Sequence, residues 1–225
     1  MDQMFEIYKS KADLYDALVN HEDYQNNLPS FLNEKIDFAK KTICEFGVGT
    51  GRVTKYYLDK VFKAQLYDVS THMLERAGAN PQEFKHKINF EVLDNNELFK
   101  LNEQYDIAIE GWSFGHLITQ DSDLNIKIIS DLMDNCIRIA KKVVIIETLG
   151  TNVEKPKPPS VGLNQFYEYL TNNGFKEYVV KTDYKYETIE QAQYVMGSFF
   201  GTGMEASIKE KNSTIIPEFT GVWIN

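Results

Sequence analysis

Cysteine is scarce in this 225-residue chain: Cys44 and Cys136 are the only two. Two thiols make no disulfide framework and are too few for a zinc site without other ligands. That favours a reducing, cytoplasmic setting. Long apolar runs are missing as well, and none approaches the roughly 20 residues needed to cross a bilayer. The stretch Met1 to Ser10 carries Asp2 and Glu6 and has no apolar core, which predicts no signal peptide. Basic charge is in deficit, with 24 Lys and Arg against 33 Asp and Glu and a net charge of −9. The doublets Lys40-Lys41 and Lys141-Lys142 stand alone, so the basic stripe of a nucleic-acid binder is absent. Proline is sparse too, and three of the six fall together in Lys155-Pro156-Lys157-Pro158-Pro159, which reads as a loop.

What remains is ordinary globular composition, 43% hydrophobic, long enough to bury a core without staples. At roughly 150 residues per domain the length suits one generous domain or two small ones. No linker, repeat or low-complexity tract divides the chain, so a single domain over 1–225 is expected. Apolar residues at helical spacing (Phe5, Tyr8, Ala12, Tyr15, Val19) predict an N-terminal helix. A second helix is predicted from Pro29 through about Lys40. From Thr42 short apolar runs alternate with helical segments, the pattern of a parallel α/β sheet. Strands are predicted at Thr42–Phe46, Ala64–Asp68, Ile88–Leu93, Tyr105–Ile109 and Val143–Ile146. Helices are predicted at about Arg52–Lys60, after Ser70, and at Asp121–Ala140. Farther on, Leu163–Asn173 reads as a helix, Phe175–Tyr186 as a long strand and Thr188–Phe200 as a helix. Ser213–Ile224 reads as a closing strand bent at Pro217 and Gly221.

The informative segment is Glu45-Phe46-Gly47-Val48-Gly49-Thr50-Gly51-Arg52. Glycines alternate where a strand turns into the next segment, so the backbone can turn sharply and approach a ligand closely. Dinucleotide enzymes favour G-x-G-x-x-G, but here Arg52 stands at the third glycine's place. A carboxylate just before the turn suits a cationic ligand better than a pyrophosphate. Asp68 ends the second strand, where an acid accepts hydrogen bonds from ribose hydroxyls. Asp94, followed by Asn95, ends the third. In a 3-2-1-4 strand order these carboxyl ends are neighbours, so Glu45, Asp68 and Asp94 are expected to line one groove.

At these residues the sequence resembles the class I S-adenosylmethionine-dependent methyltransferases. Glu45-x-Gly47-x-Gly49-x-Gly51 looks like the family's first motif. Asp68-x-Ser70-x-x-Met73-Leu74-x-x-Ala77 is similar to the second, and Leu93-Asp94-Asn95 to the adenine-contacting acidic position. The resemblance is strong from Ile43 to Asp94, moderate to Ile146 and weak beyond. It implies a Rossmann-like, mostly parallel seven-stranded sheet of order 3-2-1-4-5-7-6, with the last strand antiparallel and helices on both faces. It divides the chain into an N-terminal helical cap (1–41), a cofactor-binding half (42–149) and a substrate-side half (150–225). It implies S-adenosyl-L-methionine as methyl donor, held by Tyr15 of the cap, Glu45, Gly47, Gly49, Gly51, Asp68, Val69, Met73, Asp94, Asn95 and Glu110.

The loop Glu110-Gly111-Trp112-Ser113-Phe114-Gly115-His116 then faces the acceptor, with Trp112 as a wall and His116 as the candidate base, since histidine titrates near neutral pH. The Asn/Asp-Pro-Pro-Tyr signature of many enzymes that methylate adenine or amide nitrogen is absent. Paired metal-binding carboxylates near the fifth strand are also absent, so no metal is expected. With the acidic balance this points to a small-molecule acceptor, no nucleic acid and no membrane, for a monomer or homodimer. A nicotinamide-dependent oxidoreductase on a related fold is the alternative enzyme reading. A non-catalytic S-adenosylmethionine-binding protein is the other.

Overall fold

The structure is a computed structural model that describes residues 12–79, 82–118 and 124–225. The expected contributions of Phe5 and Tyr8 to the first helix, and of Asp121 to Asp123 to the helix after the fourth strand, lie outside the described residues.

Strands β1 (Thr42–Phe46), β2 (Lys63–Asp68), β3 (Ile88–Val92), β4 (Tyr105–Gly111), β5 (Ala140–Thr151), β6 (Lys176–Lys181) and β9 (Glu218–Ile224) form one sheet of order β3-β2-β1-β4-β5-β9-β6. A two-stranded antiparallel ribbon of β7 (Tyr184–Lys185) and β8 (Ile215–Ile216) lies apart from it. The first five strands pair parallel, and β9 runs antiparallel between β5 and β6. This is the strand order the resemblance implied, with β9 as its seventh strand. Val143 to Ile146 are wholly buried, as expected of a strand covered on both faces. Asp106 at the start of β4 accepts hydrogen bonds from the Thr42 N–H and hydroxyl, and from Lys141, so its part is to pin β4 to β1.

Helices α4 (Asn125–Ile139) and α5 (Val161–Asn172) cover one face and bury Leu132, Met133, Cys136, Phe166 and Leu170. On the other face lie α2 (Asn27–Lys35), the 52–61 segment and α3 (Thr71–Ala79), burying Leu28, Leu32, Tyr57 and Leu74. A smaller core joins Leu18 of α1 (Ala12–His21) to Tyr184, Tyr186, Met196 and Ile208, drawn from the ribbon region, α6 (Ile189–Phe200) and α7 (Thr202–Lys211). Within 1–41, therefore, α1 packs against the C-terminal helices, whereas α2 flanks the sheet.

Several boundaries differ from the sequence reading. The segment after the glycine turn is a series of tight turns around a single 3-10 turn, Thr54–Tyr56, not a continuous helix. Its bonds mix i+3 and i+4 partners, and its Thr54 and Tyr57 side chains bond to Glu45 instead of packing along one helical face. The second helix ends at Lys35, since Ile36 turns extended. The predicted long strand breaks at Thr182-Asp183, where Asp183 accepts the Glu218 N–H and the chain leaves the main sheet for the β7–β8 ribbon. Helix α7 went unread. It is short, mostly polar and starts after Gly201. Pro217 separates β8 from β9 as expected, but Gly221 does not interrupt β9. A Cβ there would stand 2.3 Å from the Trp223 ring, so the glycine makes room for that buried indole.

Candidate functional site

The carboxyl ends of β1, β2, β3 and β4 surround a cavity of about 420 Å³. Its walls include the glycine turn (Gly47, Gly49), the end of β2 (Asp68, Val69, Ser70, Met73), the end of β3 (Leu93, Asp94, Asn95) and the loop after β4 (Trp112, Ser113, His116, Leu117). Tyr15 of α1 completes the lining. A larger cleft of about 720 Å³ lies behind the turn, lined by Asp16, Thr50, Gly51, Arg52, Lys55 and Glu83 among others. We take the smaller cavity as the site because the strand ends of the switch region converge on it.

Gly47 and Gly49 have φ values of 69° and 56°, backbone that disfavours side chains. A Cβ on Gly47 would stand 2.1 Å from the Ser113 Cβ, and one on Gly49 would stand 3.3 Å from the Tyr15 hydroxyl. The turn is thus packed against the β4 loop on one side and the cap helix on the other. Gly47→Ala is expected to cost about 2–4 kcal/mol, from φ strain plus the clash. Urea unfolding of the variant checks this, and an unchanged midpoint refutes it.

Asp68 sits at the mouth of the turn. One carboxylate oxygen accepts the Gly49 N–H at 2.8 Å and the other accepts the Ser70 N–H at 2.8 Å. Burial raises its pKa, opposed by these two bonds. Each oxygen keeps a lone pair for a further donor. Asp94 caps the short turn Asn95–Lys100 by accepting the Asn96 N–H at 2.9 Å. Asn95 donates to the Ser113 hydroxyl at 2.7 Å, which joins the β3 and β4 loops across the cavity. Burial pushes the Tyr15 hydroxyl up to about 12, against the pull of Arg52, so it stays protonated at neutral pH. His116 lines the cavity and its N–H bonds the Ser113 carbonyl at 3.2 Å. Burial lowers its imidazole pKa, which leaves it neutral and able to accept a proton.

Of the predicted residues, Tyr15, Gly47, Gly49, Asp68, Val69, Met73, Asp94, Asn95, Trp112 and His116 meet at this one cavity. Glu45, Gly51 and Glu110 do not line it. Gly51 faces the cleft behind the turn. Glu45 lies on the same side of β1 as Ile43, buried under the 52–60 segment, and accepts from the Thr54 hydroxyl at 2.8 Å and from the Tyr57 hydroxyl. Burial raises it to about 7, against those two bonds. The expected groove of three acids is therefore a cavity with two. Glu110 is buried behind the β4 loop and accepts the Ser113 and Phe114 N–H groups at 2.5 and 2.9 Å. Among the described residues no group of three or more His, Cys, Asp and Glu is placed to hold a metal ion. Nor is any helix among them long and apolar enough to cross a membrane.

Sequence reasoning missed the support behind Trp112. The Arg52 guanidinium lies 3.8 Å from the Trp112 ring centroid and makes a two-pronged bond to Glu22, at 2.7 and 3.0 Å. Both side chains are nearly sealed, 8% and 4% exposed. Burial opposes the Arg52 charge, but the Glu22 carboxylate outweighs it and holds the guanidinium protonated. Trp112 itself has φ 51°, and its N–H bonds the Ile146 carbonyl at 2.8 Å. The cap end, the glycine turn and the cavity wall thus meet at one arginine. Arg52 follows the last glycine in sequence, but nothing local identifies its partner thirty residues upstream.

Residues 43–141 match the methyltransferase domain family. The chain is 27% identical over 220 residues to an uncharacterized methyltransferase of Staphylococcus carnosus (strain TM300), covering 93% of this chain and 95% of that protein. It is 25% identical over 160 residues to another, of Anoxybacillus flavithermus (strain DSM 21510 / WK1), covering 68% and 70%. The solved DhpI-SAM-HEP complex superposes with a TM-score of 0.58 at 13% identity, covering 100% of this chain and 96% of that one, a likeness of fold.

Proposed function

We propose that this chain is a class I S-adenosylmethionine-dependent methyltransferase that binds the donor in the 420 Å³ cavity and methylates a small molecule. The supporting observation is the convergence of Gly47, Gly49, Asp68 and Asp94 on one cavity, at the strand ends where open α/β sheets take ligands. The cavity suits the donor. The side-chain-free turn leaves space at Gly47 and Gly49, Asp68 keeps acceptor capacity for two ribose hydroxyls, and Val69, Met73 and Leu93 offer apolar surface for a base. Asp94, with one oxygen turned to the Asn96 N–H, has the other for an exocyclic amine. When bound, the donor supplies a sulfonium methyl group for in-line displacement.

The chain's own part is chiefly positioning. Tyr15 and Trp112 close the cavity on the cap side, excluding water. His116, neutral and cavity-lining, takes the proton of an acceptor that arrives protonated. The net charge of −9 and the partly aromatic wall support a small acceptor over a nucleic acid. The buried free thiols Cys44 and Cys136 suit a cytoplasmic setting.

Titration calorimetry with S-adenosylmethionine and S-adenosylhomocysteine tests the reading. We expect saturable binding of both in the micromolar range, about −8 kcal/mol. A folded sample that binds neither at millimolar concentration rejects it.

A further inference from the structure

Two buried carboxyls stand outside the chemistry described so far. Glu110 ends β4 and Glu147 lies on the neighbouring β5, and both are almost completely buried. Glu110 accepts the Ser113 and Phe114 N–H groups. Glu147 accepts the Gly115 N–H at 2.8 Å, and a Cβ on Gly115 would stand 2.8 Å from that same oxygen. Three consecutive backbone donors of the β4 loop therefore end on two side chains from adjacent strands. The flanking donors are met elsewhere: Trp112 N–H by Ile146, His116 N–H by Ser113 and Ile118 N–H by Gly115. The loop so held carries Trp112, Ser113 and His116, three residues of the cavity wall. Its Ser113 occupies the space a side chain at Gly47 would need.

We propose that Glu110 and Glu147 act together as positioning residues for the methyl-donor cavity, clamping the N–H groups of Ser113, Phe114 and Gly115 and so fixing Trp112, Ser113 and His116 against the glycine turn. The inference rests on the donor-site reading above for its functional consequence and on these hydrogen bonds for the clamp itself.

Burial raises both carboxyls above the ordinary range. Burial and the neighbouring Glu147 push Glu110 well above the ordinary carboxyl range. Burial raises Glu147 to about 7, while the bond from Gly115 holds it down. Glu110 stays protonated, and its second oxygen is buried without a hydrogen-bond partner among the described residues. Glu147, when ionised, faces the Gly115 N–H, while Glu110 receives those of Ser113 and Phe114. The groups facing the pair from other elements are Cys136 on α4 and Tyr167 on α5, both pushed up by burial and so neutral. Glu218 on β9 lies beyond Tyr167, and His116 is on the loop itself. None supplies a positive charge to replace the proton. The sign follows from the raised values: the protonated pair's contribution is complete below the ordinary carboxyl range and is lost as pH rises through 7 and then through the Glu110 value. Full ionisation sets two carboxylates against each other and releases the loop.

The test compares wild type with Glu110→Ala, Glu147→Ala and Glu110→Gln. Glutamine keeps an oxygen for Ser113 and Phe114 and cannot ionise. Affinity for S-adenosylhomocysteine is read between pH 6 and 8.5, and amide hydrogen exchange at 113–115 is read without ligand. In wild type the affinity is expected to fall about tenfold across that range, with the alanine variants weakened at least tenfold at every pH. Glu110→Gln is expected to restore the affinity lost in Glu110→Ala and to flatten the profile. The ligand's own amino group titrates identically with every variant, so the difference isolates the pair. Alanine variants with native exchange at 113–115 and native affinity overturn the proposal, as does a glutamine variant with the wild-type profile. Wild type that binds no ligand, yet shows faster exchange in the alanine variants, overturns the donor-site reading and leaves the clamp standing.

Discussion

Replacing Arg52 with alanine is expected to lower the unfolding free energy by about 3–5 kcal/mol, because it leaves the sealed Glu22 carboxylate without its counter-charge. The same change removes the guanidinium from the Trp112 face and leaves a positive-φ residue without the contact that covers it. Lysine is not a conservative rescue. Its point charge cannot reproduce the two-pronged bond to Glu22 while stacking on the indole. Removing both charges together, as Arg52→Met with Glu22→Met, is expected to recover most of the stability, since an apolar pair of similar volume avoids desolvation. Urea unfolding followed by circular dichroism measures all four proteins. An Arg52→Ala midpoint equal to that of wild type sinks the argument, and a double variant worse than the single would place the cost outside the ion pair.

The first half of this architecture was legible in sequence because its signals are local. Continuous apolar runs such as Val143 to Ile146 announce covered parallel strands, and an acid at the end of each of the first three strands marks their carboxyl ends. Asp68 and Asp94 then fall together on the cavity without any long-range inference. The second half was less readable because its boundaries depend on partners. Thr182 and Asp183 look like two more residues of an alternating strand, yet the Thr182 hydroxyl pairs with Thr220, and Asp183 takes the Glu218 N–H. Those bonds turn the chain out of the sheet. The 52–60 segment has helical spacing, but Glu45 draws in its Thr54 and Tyr57 side chains.

The same division runs through the site. Residues that touch the cavity by their position in a motif were found, whereas those that hold the walls were not. Glu22 with Arg52, Glu110 with Glu147, and Ser113 against Gly47 are pairs separated by thirty residues or more, and each exists only once the sheet has formed. Glu45 shows the converse. It sits in the motif, but strand alternation turns its carboxyl to Tyr57 and away from the cavity.

Asp68→Asn separates the proposed donor-binding role from the structural one. In the ligand-free protein the Asp68 charge is disfavoured by burial, and asparagine still accepts one of the two backbone N–H bonds, so the melting temperature is expected to shift only slightly. Under the proposed donor site the ligand loses far more: two ribose hydroxyl-to-carboxylate bonds, each worth about 1.5–3 kcal/mol, would become at best one neutral bond. Affinity for S-adenosylhomocysteine is therefore expected to fall by about 100-fold, close to 3 kcal/mol. Calorimetry on both proteins at one pH reads the affinity, and scanning calorimetry reads the stability. A variant that binds within threefold of wild type removes Asp68 from the ribose. A variant that loses binding only together with a large drop in melting temperature instead assigns Asp68 to holding Gly49 and Ser70 in place.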